Sequence, residues 1–260
     1  MKKIKIIISA VIMLILLVSL TGCSNTEETN NATSKANTAN TTNTSNKTNT
    51  TQNDIEKYDF IGQAKKQVEE APKEGDTIAI FHVKNYGDIK VKFFNNIAPK
   101  AVENFTTHAK NGYYNGVTFH RVINDFMIQS GDPTGTGRGG ESIWGNDFED
   151  EFDYSLAPYR GALCMANTGA KSSNSSQFFI EQAKYDEQTY QMLKQNGYPN
   201  SLLEAYKIYG GSMHLFFRHT VFGQVIEGMD VVDRIAACET DSNDKPTSDV
   251  IIESIEIAKY

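Results

Sequence analysis

A mainly β fold, a closed barrel or a sandwich, is what the sequence predicts, and three observations lead there. Short runs rich in β-branched and aromatic residues recur between Gly, Asn and Asp punctuation over most of the chain beyond residue 76. Helical periodicity is confined to two or three brief segments, a balance that suits closed β architectures rather than alternating βαβ units. Composition is that of a globular protein: among 260 residues, 39% are hydrophobic, 22% charged and 10% aromatic, and 19 Gly against 6 Pro exclude a collagen-like or Pro-rich fibre. No internal repeat divides the chain. The first 53 residues cannot join a packed core, which leaves roughly 200 and favours a single domain.

Lys2, Lys3 and Lys5 precede an uninterrupted apolar and small-residue run from Ile6 to Leu20, the charged and hydrophobic regions of an export signal over residues 1–22. The run is short for a bilayer span of about 20 residues. It stops at Leu20-Thr21-Gly22-Cys23, which resembles the bacterial lipobox; that resemblance implies cleavage before Cys23 and acylation of its sulfur. Loss of three lysines and no acid takes the formal charge from −7 to −10. Stable anchoring needs more than one acyl chain, which a diacylated Cys23 supplies. The expected location is therefore outside the cytoplasm, lipid-anchored to the cell membrane. The negative charge argues against nucleic acid, whose phosphates favour a basic face. From Ser24 to Asn53, 22 of 30 residues are Ser, Thr or Asn, with no aromatic residue and no Leu, Ile or Val to offset the entropy of ordering. Residues 23–53 thus read as the lipidated cysteine and a flexible tether spanning about 30 Å.

Residues 54–75 hold a short helix and linker: Ile55, Tyr58, Ile61, Ala64 and Val68 recur at helical spacing before Pro72. The main domain runs from 76 to 260. Residues 77–83 and 88–93 flank Asn85-Tyr86-Gly87 as a β-hairpin, the second strand alternating cleanly. Pro99 opens a helix through Ala101, Val102, Phe105 and Ala109, closed at Asn111-Gly112. Strands are expected at 117–123, 126–130, 162–166, 177–181, 221–226 and 250–258, and a helix at 229–237.

Several chemistries are poorly matched. Gly135-Thr136-Gly137-Arg138-Gly139-Gly140 fits G-x-G-x-x-G, but no βαβ unit surrounds it, so these glycines read as a surface loop needing positive φ. The five histidines lack metal-ligand spacing and Cys164 and Cys238 lack a C-x-x-C partner, which disfavours zinc. Cys164 lies in an apolar run and reads as a small buried hydrophobe, with a disulfide to Cys238 not expected. No G-x-S-x-G elbow is present.

Two stretches are informative: Phe119 to Asp132, and Met165-Ala166-Asn167-Thr168-Gly169 followed by Ser176-Gln177-Phe178-Phe179-Ile180. Arg121 stands between apolar neighbours on a strand, where a guanidinium needs a partner or a ligand. Phe126, Met127 and Phe179 supply apolar surface; Gln129, Gln177 and Asn167 supply amides that both donate and accept. With Pro99-Lys100-Ala101-Val102-Glu103-Asn104-Phe105, Phe148-Glu149-Asp150-Glu151 and His219-Thr220-Val221-Phe222-Gly223, these stretches resemble the cyclophilins, peptidyl-prolyl cis-trans isomerases, from about Asp76 to Ile257.

The resemblance implies a closed eight-stranded antiparallel barrel capped by two helices, with its site on the outer face and no metal or cofactor. It casts Arg121 as the guanidinium that hydrogen-bonds the prolyl unit, and Phe126, Met127, Phe179 and Leu215 as the proline pocket. Gln129 is implied to hold the substrate's carbonyl region. Ala166 and Asn167, with the adjoining Thr168 and Gln177, are implied to bind the flanking peptide. His219 is implied to pack and orient. Proline-containing exported polypeptides are the implied partners. His214 falls where many members carry a tryptophan that contacts cyclosporin A, implying weakened cyclosporin binding with activity retained. A helical insertion over about 183–213, carrying Tyr190, Leu193, Leu202, Leu203, Tyr206 and Ile208, reads either as a wall that narrows substrate choice or as packed embellishment. A peptide-binding or chaperone module using the same groove without turnover is the alternative function.

Overall fold

The computed structural model describes residues 55–260; the expected export signal, the Cys23 lipidation site and the tether lie outside the described residues. Helix α1 (Phe60–Glu69) starts where the Asp59 carboxylate accepts the Gly62 N–H at 2.9 Å, satisfying a first-turn donor that has no helical partner. It stops before Pro72, which cannot continue a helix. Strands β1 (Thr77–Val83) and β2 (Gly87–Phe93) pair from Ile78↔Lys92 to Val83↔Gly87, and the turn between them is closed by Asn85 at φ 65° and Gly87 at φ 110°. Helix α2 (Pro99–Lys110) has proline in its first turn, where the missing N–H costs nothing, and Gly112 follows at φ 71°.

Then come β3 (Arg121–Ile123), β4 (Met127–Ser130), β5 (Phe148–Glu149), β6 (Ala162–Met165), β7 (Ser172–Asn174) and β8 (Phe178–Glu181). Helices α3 (Glu187–Gln195) and α4 (Asn200–Tyr209) occupy the 183–213 segment, and a 3-10 turn (Met213–Leu215) leads to β9 (Val221–Glu227), α5 (Met229–Ala236) and β10 (Ile252–Lys259).

Eight of the strands form one curled antiparallel sheet in the order β10-β1-β2-β9-β6-β8-β4-β3. This corrects the expected closed barrel: β3 and β10 are both edges, and no ladder joins them. The expected strand 117–123 shortens to β3, and residues 117–119 meet the start of β10 through the isolated bridge Thr118↔Ile251, with Phe119 N–H donating to Val250 O and Ile252 N–H to Val117 O, both at 2.9 Å. Farther along, the Val122 N–H donates to Asp244 O at 2.8 Å, so a loop takes the hydrogen bond that a closing strand would take. The two-stranded β5-β7 pair was not legible, each partner being two or three residues long.

Inside the curl, Phe81, Ile89, Phe178 and Phe222 are buried against Val102 and Phe105 of α2 and Val232 and Ile235 of α5. Outside it lies a second core, in which Phe60 and Ala64 of α1 pack with Tyr190 and Leu193 of α3 and with Leu202, Leu203 and Tyr206 of α4. Buried Gln67 fastens α1 to the sheet side, donating to Ala157 O (2.8 Å) and to Gln224 Oε1 (3.1 Å) while accepting the Ala157 N–H (3.0 Å). Lys92 Nζ, nearly buried, donates to the Lys66 and Glu70 carbonyls at the end of α1, where a cation suits the helix dipole. Cys164 and Cys238 are both free thiols.

The G-x-G-x-x-G stretch has a complete structural explanation. Its loop wraps the buried Asp132 carboxylate, which accepts from the N–H groups of Thr134, Thr136, Arg138 and Gly139 at 2.8–3.1 Å and from both threonine hydroxyls. Burial alone would raise this acid, but those bonds outweigh it and hold the carboxyl well below the usual range. Gly135, Gly137 and Gly140 have positive φ, whereas Gly139 does not; a Cβ there would stand 2.3 Å from Asp132 Oδ1. The amides that a phosphate would need are spent on an internal carboxylate.

Candidate active site

The outer face of β4, β6 and β8 carries a third apolar cluster, in which Met127, Cys164 and Phe179 are buried and Phe126, Ala166 and Leu215 are partly covered. Register explains the gathering. Gln129 lies opposite Phe179, Met127 opposite Glu181 and Cys164 opposite Phe179, and directly paired residues of an antiparallel ladder share a face. The side chains expected to form a proline pocket, Phe126, Met127, Phe179 and Leu215, thus come together.

Arg121 sits at the neighbouring edge, opposite Gln129. Its Nε lies 3.6 Å from Asp244 Oδ2, with 42% and 46% of the two side chains exposed. Such a pair contributes little to stability, and among the described residues neither terminal nitrogen of the half-exposed guanidinium is hydrogen-bonded, which leaves both to a ligand. Gln129 Nε2 donates to Gln177 Oε1 (3.0 Å), and Gln177 Nε2 donates to Gly139 O (2.8 Å). This relay fixes both amides and leaves Gln129 a carbonyl oxygen and one N–H for a peptide.

His219 packs edge-on against Phe179 with ring centroids 5.2 Å apart, and its Nδ1 lies 3.0 Å from Met165 O. A carbonyl only accepts, so Nδ1 carries the proton and Nε2 bears the lone pair in the neutral ring. Burial lowers the His219 pKa against the opposing pull of the Met165 bond, which favours that neutral form. His214 is exposed, its ring 5.9 Å from Phe126.

Asn167 braces its own loop: its Nδ2 donates to Asp150 Oδ1 (3.1 Å) and Arg218 O (2.8 Å), and its Oδ1 accepts the Gly169 N–H (3.1 Å). Thr168 lies in the exposed turn beyond, its N–H bound to Ser173 Oγ at 3.1 Å. Ala166 borders the cluster, its own N–H bonded to Gln177 O at 3.0 Å.

Three acids were given no role in the sequence reading. Asp150 gathers Asn167, Asn174 and Thr220 on one carboxylate oxygen at 2.9–3.2 Å. Asp244, in a turn at φ 62°, positions Arg121. Glu181 ends β8 on the same face as Phe179, wholly buried beside Ser212, and among the described residues neither carboxylate oxygen is hydrogen-bonded. Only the strand periodicity could have placed it, and strands seldom end in a buried acid.

Burial pushes the Glu181 carboxyl well above its ordinary range. The folded state therefore holds this proton more tightly than the unfolded chain does. Its stability contribution is full below the unfolded pKa and is lost as pH rises toward the folded value. Glu181→Gln is expected to stabilise the protein by about 1–3 kcal/mol at pH 8 and to change little near pH 4. Thermal melts at the two pH values check this, and a variant less stable at pH 8 contradicts it.

Among the described residues, no three His, Cys, Asp or Glu side chains group as a metal ion would require. The arrangement offers an apolar pocket, one fixed cation at its edge and a short row of amides: equipment for binding a peptide without breaking a bond in it.

Comparison with known proteins agrees. Residues 78–257 match the family model for cyclophilin type peptidyl-prolyl cis-trans isomerases. A Staphylococcus aureus protein named for peptidyl-prolyl cis-trans isomerase activity is 51% identical over 192 residues, 74% of this chain and 96% of that relative. A Staphylococcus epidermidis protein of the same name is 50% identical over the same length. The crystal structure of a Cryptosporidium parvum cyclophilin type isomerase, obtained in the presence of the dipeptide Ala-Pro, superposes with a TM-score of 0.58 at 34% identity, covering 70% of this chain and 99% of its own.

Proposed function

The chain belongs to the cyclophilin-type peptidyl-prolyl cis-trans isomerases, and from that premise we propose that it accelerates X-Pro isomerisation in exported polypeptides at the Arg121 face, outside the cytoplasm and on a lipid anchor at Cys23. The observation that carries the site is the meeting of Arg121, the Gln129–Gln177 relay and the Phe126, Met127 and Phe179 cluster on one outer surface.

Amide rotation is opposed by about 18–20 kcal/mol of resonance. X-Pro bonds populate both isomers but exchange unaided in tens to hundreds of seconds. No bond breaks, so no nucleophile is required. The catalyst has to favour the twisted state in which the prolyl nitrogen has lost conjugation and turned pyramidal. The ring of proline sits in the apolar cluster, which holds one side of the rotating bond. A terminal nitrogen of Arg121 donates to the prolyl unit and stabilises the lone pair released at nitrogen. Gln129 and the Ala166–Asn167 backbone hold the flanking peptide, and His219, neutral and locked by Met165, shapes the pocket wall. With His214 where many members carry tryptophan, cyclosporin A binds weakly.

The binding-module alternative is tested by catalysed exchange in an X-Pro peptide and its loss in Arg121→Ala. The anchor is supported by the Leu20-Thr21-Gly22-Cys23 sequence and the Ser/Thr/Asn-rich stretch behind it. Cells fed labelled palmitate are expected to label the wild-type protein in the membrane fraction, and Cys23→Ala to abolish that label. Equal labelling of the variant contradicts the anchor.

A further inference from the structure

Beside the proline pocket, a cleft of about 590 Å³ opens between the β3–β4 turn and the 183–213 segment. Phe126 is common to both: it belongs to the apolar cluster and, with His214 5.9 Å away ring to ring, lines the cleft. A peptide seated with proline against Phe126 therefore has one flank leading straight into this space. The far wall is Tyr185, Asp186, Thr189 and Tyr206, contributed by the insertion.

The lining is polar and unevenly charged. Asp125 is exposed at φ 58°, and among the described residues the only hydrogen bond to its carboxylate is a weak one of 3.3 Å from Asn124 Nδ2. Asp186 caps α3, accepting the Thr189 N–H at 2.6 Å; that bond above all holds its carboxyl below the usual range, so it is charged at every physiological pH. The one cation in the lining is Lys184, close enough to Asp233 to contribute, after Arg160 and Gln182, to holding that acid down against its burial. Lys184 thus has a carboxylate elsewhere to answer, and the two aspartates leave the cleft net negative.

We propose that this cleft is a second substrate subsite that takes the side chain of a lysine or arginine lying within a few residues of the proline. The proposal rests on the isomerase reading of the adjoining groove and adds a charge preference to it. The insertion is then more than embellishment: together with Asp125 it selects basic flanks in the polypeptides that the groove turns over.

The test uses the full chain and a set of X-Pro peptides with lysine, alanine or glutamate at each of three positions before and after the proline, with exchange followed by NMR. At one or two positions on one flank, kcat/KM is expected to be about three- to tenfold higher for lysine than for glutamate, the size of an exposed ion pair. The ratio should shrink toward one in 1 M salt, where the screening length is about 3 Å. It should also shrink toward one in Asp125→Asn combined with Asp186→Asn; asparagine tolerates the positive φ of residue 125 and retains the helix cap at 186. A ratio near one at every position, or one that survives both salt and substitution, overturns the subsite. Absence of exchange with every peptide instead overturns the catalytic reading on which the subsite depends.

Discussion

Replacing Arg121 by alanine is expected to lower kcat/KM for an X-Pro peptide by about 10²–10³-fold, the usual cost of deleting one preorganised donor aimed at developing charge. The domain itself should survive. Arg121 lies on a three-residue edge strand with much of its side chain in solvent and only a long contact to Asp244, so the melting temperature should move little. Activity and stability are thereby separable, and a fall in both together would mean that the arginine is structural. Lysine at the same position should recover only part of the rate. It lacks the planar fork that lets Nε rest on Asp244 while the terminal nitrogens face the substrate.

The largest effect on stability is expected outside the curled sheet. Phe60 is 1% exposed, edge-on to Tyr58 and Phe216 with centroids 4.8 and 5.9 Å apart, in the core that α1 forms with α3 and α4. Phe60→Ala should cost about 3–5 kcal/mol, lowering Tm by roughly 6–20 °C for a domain of this size. The neighbouring Ile61→Ala is the control: that residue is 39% exposed and its loss should cost no more than about 1 kcal/mol. Because Phe216 follows directly on His214 and Leu215, loosening this core should also raise KM. A Phe60→Ala protein as stable as wild type would show that α1 is an appendage.

That second core also marks how far the sequence could be read. The hairpin, α2, α5 and most strands were legible because each carries its own signal: alternation, a proline at the first helical position, a glycine past the last. The outer-face constellation was named from the resemblance to the cyclophilins and not from any local signal; it is the strand registers that put Arg121, Gln129, Met127 and Phe179 side by side. What was hidden depends on partners distant in the chain. The apolar positions of α1 and of the 183–213 helices are plain individually, but nothing local says that they bury one another. Closure failed as an expectation because Asp244, a turn residue, takes the Val122 hydrogen bond. The glycine loop is a comparable lesson: its spacing imitates a phosphate site, and only the position of Asp132 shows that the anion is already built in. Glu181, an unpartnered acid ending an apolar strand, breaks the rule that strand periodicity relies on.

The most direct test of the central claim is the exchange rate between cis and trans forms of a short Ala-Pro peptide, measured by NMR with a catalytic quantity of the folded wild-type protein. Exchange that takes tens to hundreds of seconds unaided is expected to become fast enough to give exchange cross-peaks within about a second. Peptide resonances that shift on binding while the exchange rate stays at its uncatalysed value would contradict it, leaving a groove that binds proline without turning it.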